Sequence, residues 1–154
     1  MQSQTPSTEL IEKFDELFLD LDGVVYRSGF ALEHAVEALN RAMRLGLERR
    51  SLTNNASRTP EQVAQHLVSL GLEATTESVI TSAMAIARVM SESVPRGSLV
   101  YLVGAEGLQR ALEAEGSEIT RNAGLNVAAV AQGHSVETSW EDLAGAGYLI
   151  GDGV

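Results

Sequence analysis

The chain has 154 residues, is 44% hydrophobic and 21% charged, and carries a formal net charge of −10. That length holds one compact domain, or a small domain plus part of another, and the composition is ordinary for a globular protein. No apolar run approaches the ~20 residues needed to span a bilayer, the lack of cysteine excludes disulfides and thiolate metal sites, and the acidic field repels nucleic acid and anionic membranes.

Met1 to Thr8 is polar and has no charged-then-apolar signal pattern. Residues 1–15 are expected to be a disordered lead-in, and a cytoplasmic location fits the missing cysteines. Glu16 to Leu21 reads as a short apolar strand with no exposed face, suited to a central parallel strand covered on both sides. Leu32, Val36, Leu39 and Met43 then fall on one helical stripe, with Gly46 as its C-cap. Leu47 to Leu52 is a second strand, although Arg49 and Arg50 weaken its pattern.

Asn54 to Ser57 is a turn, and Thr59-Pro60-Glu61-Gln62 starts a helix with a Thr cap and Pro at the first helical position. Val63, Leu67 and Leu70 form its buried stripe, and Gly71 ends it. Val79-Ile80 is a short strand, and Ser82 is expected to cap a helix to about Ser91. Pro95 and Gly97 mark a break, so a domain boundary is placed between Thr81 and Gly97. Leu99 to Val103 is a strand, Glu106 to Ala114 a helix, and Val127 to Ala131 a strand. Ser139-Trp140-Glu141-Asp142 opens a final capped helix. The βα alternation predicts an α/β fold, a parallel sheet with flanking helices.

The strongest chemical signal is Asp20-Leu21-Asp22-Gly23. Two carboxylates follow an apolar strand, and Gly23 lets the chain turn. In open α/β sheets ligands sit at this carboxyl edge. Crowded carboxylates are costly unless a cation compensates, and the hard ion that prefers oxygen ligands and phosphate is Mg²⁺. Three other readings compete. A calcium loop of the EF-hand type needs Glu at its twelfth position, where this chain has Ala31. An ordinary Asx turn explains the residues without chemistry. A phospho-acceptor receiver domain needs an earlier acidic pair and a later lysine, and neither is present.

Thr53-Asn54-Asn55 ends the next strand and supplies a hydroxyl and two amides able to donate to a phosphate. It is equally a common turn composition, and the strand–helix–strand unit separating it from Asp22 is what makes it informative. Arg58 is read as solvating the next helix start.

Together these segments resemble the haloacid dehalogenase superfamily. Phe18-Leu19-Asp20-Leu21-Asp22-Gly23-Val24-Val25-Tyr26 is similar to its first motif and Thr53 to its second. The string Thr53 to Pro60, with Thr81-Ser82-Ala83-Met84, Tyr101-Leu102-Val103-Gly104, Gln132-Gly133 and Trp140, resembles the class IIA branch of NagD-like and 4-nitrophenylphosphatase-like phosphatases. The resemblance implies a Rossmann-like core over 16–81 and the first part of an α/β cap over 82–154. It implies Asp20 as nucleophile and metal ligand, and Asp22 as acid and base, with the backbone carbonyl of Asp22 as the second metal ligand. Gly23, Thr53, Asn54 and Asn55 would bind the phosphoryl group, and Mg²⁺ would be the cofactor. The substrate would be a small phosphorylated metabolite such as a sugar phosphate, glycerol phosphate or phosphoglycolate. Uncovered apolar strand edges make a homodimer one expected outcome, beside segment swapping and aggregation.

The family's third motif needs a lysine, and the single lysine here, Lys13, precedes the first motif. Tyr148 to Gly153 imitates the fourth motif but is read as a helix running into a Gly-containing turn. The chain is therefore expected to be the first half of a longer phosphatase that stops inside the cap, with a catalytically incomplete binding module as the alternative. Trp140 and His134 are candidates to contact substrate from the cap, with a surface or packing role the favoured reading of His134, and His34 and His66 are placed within helices with nothing catalytic about them.

Overall fold

The structure, a computed structural model, describes residues 13–154. Most of the expected lead-in, including Met1 to Thr8, lies outside the described residues. The contacts divide the chain into two compact units. One is the chain up to Thr53 with Val63–Ile80, and the other is Asn54–Gln62 with Thr81–Val154.

The first unit holds strands β1 (Glu16–Asp20), β4 (Glu48–Thr53) and β5 (Val79–Thr81), in the order β1-β4-β5, with β1 and β4 parallel. Helix α1 (Ala35–Arg44) connects β1 to β4, and α2 (Pro60–Ser69) connects β4 to β5. Right-handed crossovers stepping in one direction put both helices on one face of the sheet. The core agrees. Leu21, Val25, Val63, Ala64, Leu67, Leu72 and Val79 form one buried cluster, with Leu19, Val36 and Leu39 packed against it.

The other face stays open. Phe18 is 60% exposed, and Ile80 is also exposed. Sequence reading made β1 a central strand covered on both sides. Among the described residues β1 ends the order β1-β4-β5, and no helix of this unit packs on its second face. The arginines that weakened β4 are each absorbed differently. Arg49 is buried, and Arg50 Nε donates to Glu16 Oε1 at 2.6 Å on the open face.

Between β1 and α1 lies a hairpin that the sequence reading did not anticipate, β2 (Tyr26–Arg27) against β3 (Phe30–Ala31). Its turn residues, Ser28 and Gly29, have φ of 50° and 85°. Two successive positive φ values mark the turn whose twist matches the flanking strands.

The second unit is built on a parallel sheet ordered β7-β6-β8, from β6 (Leu99–Val103), β7 (Glu118–Thr120) and β8 (Ala129–Gln132). Residue alternation along β6 sends Val100 and Leu102 to one side, against Ala83, Ala87 and Met90 of α3 (Ser82–Ser93) and Leu108 and Leu112 of α4 (Glu106–Ala114). Tyr101 and Val103 face the other side, against Ala146 and Leu149 of α5 (Trp140–Gly151). Helix α3 starts one residue earlier than expected in its capping. Thr81 Oγ1, not Ser82, accepts from Met84 N, at 3.2 Å, while Ser82 Oγ donates to Asn54 O. Helix α5 opens with a capping box between Ser139 and Asp142. It carries Tyr148 to Gly151 as helix, as the helix-into-turn reading expected. No helix among the described residues is long and apolar enough to cross a membrane.

Two measurements test this packing. A Cβ on Gly145 would lie 2.6 Å from Tyr101 Oη and 3.0 Å from Ala123 Cβ. Helix propensity alone predicts that Gly145→Ala stabilises by up to ~1 kcal/mol. The packing predicts the opposite sign, a loss of about 1–3 kcal/mol in urea unfolding, partly recovered when combined with Tyr101→Phe. The second concerns pH. Hydrogen bonds from the backbone and hydroxyl of Ser139 hold the Asp142 carboxyl below its usual range. Its contribution is present above the unfolded value of about 3.9 and is lost as pH falls through the lower folded value. Unfolding of Asp142→Ala compared with the parent should show a stability gap at neutral pH that closes at acid pH.

Candidate active site

The site grows from the end of β1. The register pairs Asp20 with Leu52, so Thr53 stands one residue past the level of Asp20 on the neighbouring parallel strand. Asp20 and Thr53 thus end adjacent strands at the same carboxyl edge, as expected. Thr53 is buried, whereas Asp20 and Asp22 are exposed.

The chain then reverses tightly. Gly23 N donates to Tyr26 O at 2.7 Å, and Val25 N donates to Leu21 O at 2.9 Å. Leu21 and Val25 are fully buried on either side of this turn. Apolar anchors therefore fix the loop that carries Asp22, and the carboxylates are left facing water. Gly23 has φ +82° and open space where a Cβ would point. Asp20 and Asp22 are hard oxygen donors close in sequence on one turn, a donor set that fits Mg²⁺ held by one or two carboxylates with water completing its shell. Among the described residues no group of three His, Cys, Asp or Glu side chains is placed to hold a metal.

Asn54 and Asn55 fall in the second unit. Asn55 Oδ1 accepts from Ser57 N at 2.8 Å and Arg58 N at 3.3 Å, which shapes the loop. The loop is strapped within that unit. Gly107 N donates to Ser57 O at 3.0 Å, and a Cβ on Gly107 would collide with the backbone carbonyl of Arg58. Ser57 Oγ donates to His134 O at 2.7 Å and lies 3.1 Å from His134 Nδ1.

Asn55, Ser57, Arg58 and His134 border a cavity of about 850 Å³ at the carboxyl edge of the second sheet, with Arg121 and Asp142 also on its wall. The order β7-β6-β8 puts this cavity beside the point where the connections after β6 and β8 diverge, the usual ligand crevice of a parallel sheet. Sequence reasoning did not single out Ser57 or Arg121 and favoured a surface or packing role for His134. The available signal was the Gln132-Gly133 end of β8, which marked that edge.

Comparison with known proteins settles the family. Residues 17–118 match the haloacid dehalogenase-like hydrolase family. The chain belongs to that family. It is 37% identical to D-glycerol 3-phosphate phosphatase of Mycobacterium tuberculosis over 92% of its own length and 39% of that protein. The crystal structure of glycerol phosphate phosphatase from the same organism in complex with magnesium superposes with a TM-score of 0.86 at 36% identity, covering 93% of this chain and 43% of that one. NagD from Escherichia coli K-12 gives a TM-score of 0.77 at 28% identity, covering 91% of this chain and 54% of that one. The NagD-like branch expected from the motifs is thus confirmed, and the chain spans about half or less of each of these relatives.

The left-handed turn residue gives a direct test. Gly23→Ala should destabilise the chain by roughly 1–2 kcal/mol through backbone conformation alone. Gly23→Asn should lose less, since asparagine tolerates this region. Thermal unfolding of the two variants decides it, and equal losses would contradict the conformational account.

Proposed function

We infer that the protein is a Mg²⁺-dependent phosphomonoester hydrolase acting on a small organic phosphate such as a sugar phosphate, glycerol phosphate or phosphoglycolate. The observation that carries this reading is the acidic turn, Asp20 to Gly23, at the carboxyl edge beside Thr53. On this reading residues 16–81 are the first part of the catalytic core and 82–154 the first part of a cap.

A carboxylate oxygen of Asp20 attacks phosphorus, and the bond from phosphorus to the ester oxygen breaks. Asp22 delivers its proton to the departing alkoxide, leaving an aspartyl-phosphate on Asp20. Asp22, now a base, takes a proton from water as the water attacks phosphorus. Inorganic phosphate leaves, and Asp20 is restored. Splitting the displacement in two follows the logic of covalent catalysis. Bound Mg²⁺, which the Asp20 carboxylate and the backbone carbonyl of Asp22 would hold, would supply the charge neutralisation that the carboxylate and the phosphate require, and the Asp22 carboxyl stays free for proton transfer. Thr53, Asn54, Asn55 and the backbone at Gly23 would donate to the phosphoryl oxygens.

The acidic body of the chain disfavours polyanionic polymers and fits a small substrate. The magnesium complex and the glycerol phosphate activity of the relatives lend the same support. A second reading, a binding module without turnover, is favoured by the single lysine, Lys13, which precedes the acidic turn and cannot serve as the family's third-motif lysine.

Phosphate release with excess Mg²⁺ from a version extended through the family's third and fourth motifs, run beside the 154 residues, separates the two readings, and the 154 residues alone are expected to release little. In the extended protein, Asp20→Asn should abolish release while the far-UV spectrum stays unchanged. Asp22→Asn should slow hydrolysis of an alkyl phosphate by ~10²–10⁴-fold and of an activated aryl phosphate much less. Equal losses on both substrates would remove Asp22 from the acid role.

A further inference from the structure

Helix α5 is apolar on both its inner and its outer face. Ala146 and Leu149 are buried against Tyr101 and Val103 of β6. On the far side Trp140 is 82% exposed, Tyr148 76%, Ile150 59% and Leu143 40%. Leu143 to Gly151 holds no charged residue, in a chain whose net charge is −10. A helix that is apolar all round is normally covered all round. Trp140 is not on the wall of the second unit's cavity, so that cavity does not account for its exposure.

The glycines of this helix supply an independent observation. A Cβ on Gly145 would strike the Tyr101 hydroxyl, so packing inside the chain explains that glycine. A Cβ on Gly147 or Gly151 would meet nothing within 4 Å. Glycine is less favourable than alanine inside a helix, and no contact among the described residues calls for it at Gly147. Close approach by a second backbone does. At about 3.6 residues per turn, Trp140, Ala144, Gly147 and Gly151 run along the middle of the outer face. Leu143 and Ile150 form one flank and Tyr148 the other.

We propose that this face is a homodimer interface, in which α5 of two copies packs antiparallel about a two-fold axis. Such an interface must be self-complementary, and this face is. Trp140 of each copy lies over Gly151 of the other, and Ala144 lies against Gly147, so a large side chain meets a glycine at each end and small residues meet at the crossing. The exposed parts of Trp140, Leu143, Tyr148 and Ile150 amount to about 500 Å² per copy. A pair therefore buries on the order of 1,000 Å², the size at which specific interfaces begin. Opposed helix dipoles also favour the antiparallel direction. The net charge, with Glu141 and Asp152 near the two helix ends, opposes pairing, so the dimer is weak and strengthens with salt that screens it. The interface is independent of the hydrolase reading.

The experiment is sedimentation analysis of the 154-residue chain from about 1 μM to 1 mM, at low and high salt. The emission of Trp140, the single tryptophan, is followed over the same range. The mass is expected to double, the emission to move to shorter wavelength in step with it, and the midpoint to fall to lower concentration in high salt. Gly147→Gln adds a polar side chain into open space. It should leave the monomer at least as stable to heat and raise the dissociation constant roughly tenfold or more. Trp140→Gln, read by mass alone, should weaken pairing as much, and it decides the matter should Gly147→Gln fail to fold. A chain that stays monomeric throughout, the result expected if further sequence or a different protein covers this face, overturns the proposal. So does a dimer that forms without moving the Trp140 emission, or one that either variant leaves at full strength.

Discussion

Everything at the candidate site depends on the parallel pairing of β1 with β4. Parallel strands need a long crossover, here α1, and that crossover brings two distant segments to a common carboxyl edge. Asp20 and Thr53 are far apart in the chain and neighbours only because of this register. A slip of one residue would send Leu21 out of the core and carry the carboxylates inward. The fully buried Leu21 and Val25 make that slip expensive. Apolar burial therefore fixes the position of the charged groups, which themselves remain in water.

The same division recurs in the second unit. Apolar residues of β6 face helices on both sides, and the polar loops gather at the carboxyl edge. Close backbone approach keeps those loops in place. Gly107 admits the loop through Ala56 and Arg58, and Gly145 admits the Tyr101 hydroxyl, which donates to Asp142 O at 3.2 Å. Burial and the nearby Asp142 and Glu141 carboxylates raise the pKa of that phenol, so it stays protonated and keeps its donor role.

Most of the architecture was legible in the sequence, because the strands and helices each carried a period that matched their final packing. The Asp20 turn was legible because two acids after an apolar strand have few structural uses. Other features were not, among them the short edge strand β7 (Glu118–Thr120), which has too few residues to show alternation. The edge position of β1 was hidden, since Phe18 reads as core although it is exposed. An apolar strand does not announce how many of its faces find cover. The hairpin at Ser28-Gly29 was missed because its strands have two residues each, too short to show alternation. Arg49 was read as weakening its strand, because sequence patterning treats a charge at a core position as an error. Asn55 was noticed for its amide, but the structure also uses its oxygen to bend the loop.

The Arg50–Glu16 pair has a consequence for the behaviour of the chain in solution. It crosses β1 and β4 on the open face of the sheet, among Phe18, Leu52 and Ile80. A flat apolar sheet face beside an edge strand is an invitation to stack with another such face. Two opposite charges planted in the middle of it act as gatekeepers, because stacking would strip their water without offering new partners. Their value lies less in fold stability, where exposed pairs contribute little, than in colloidal behaviour. Concentrated salt, which screens the pair and strengthens apolar association, is the condition under which this face turns adhesive.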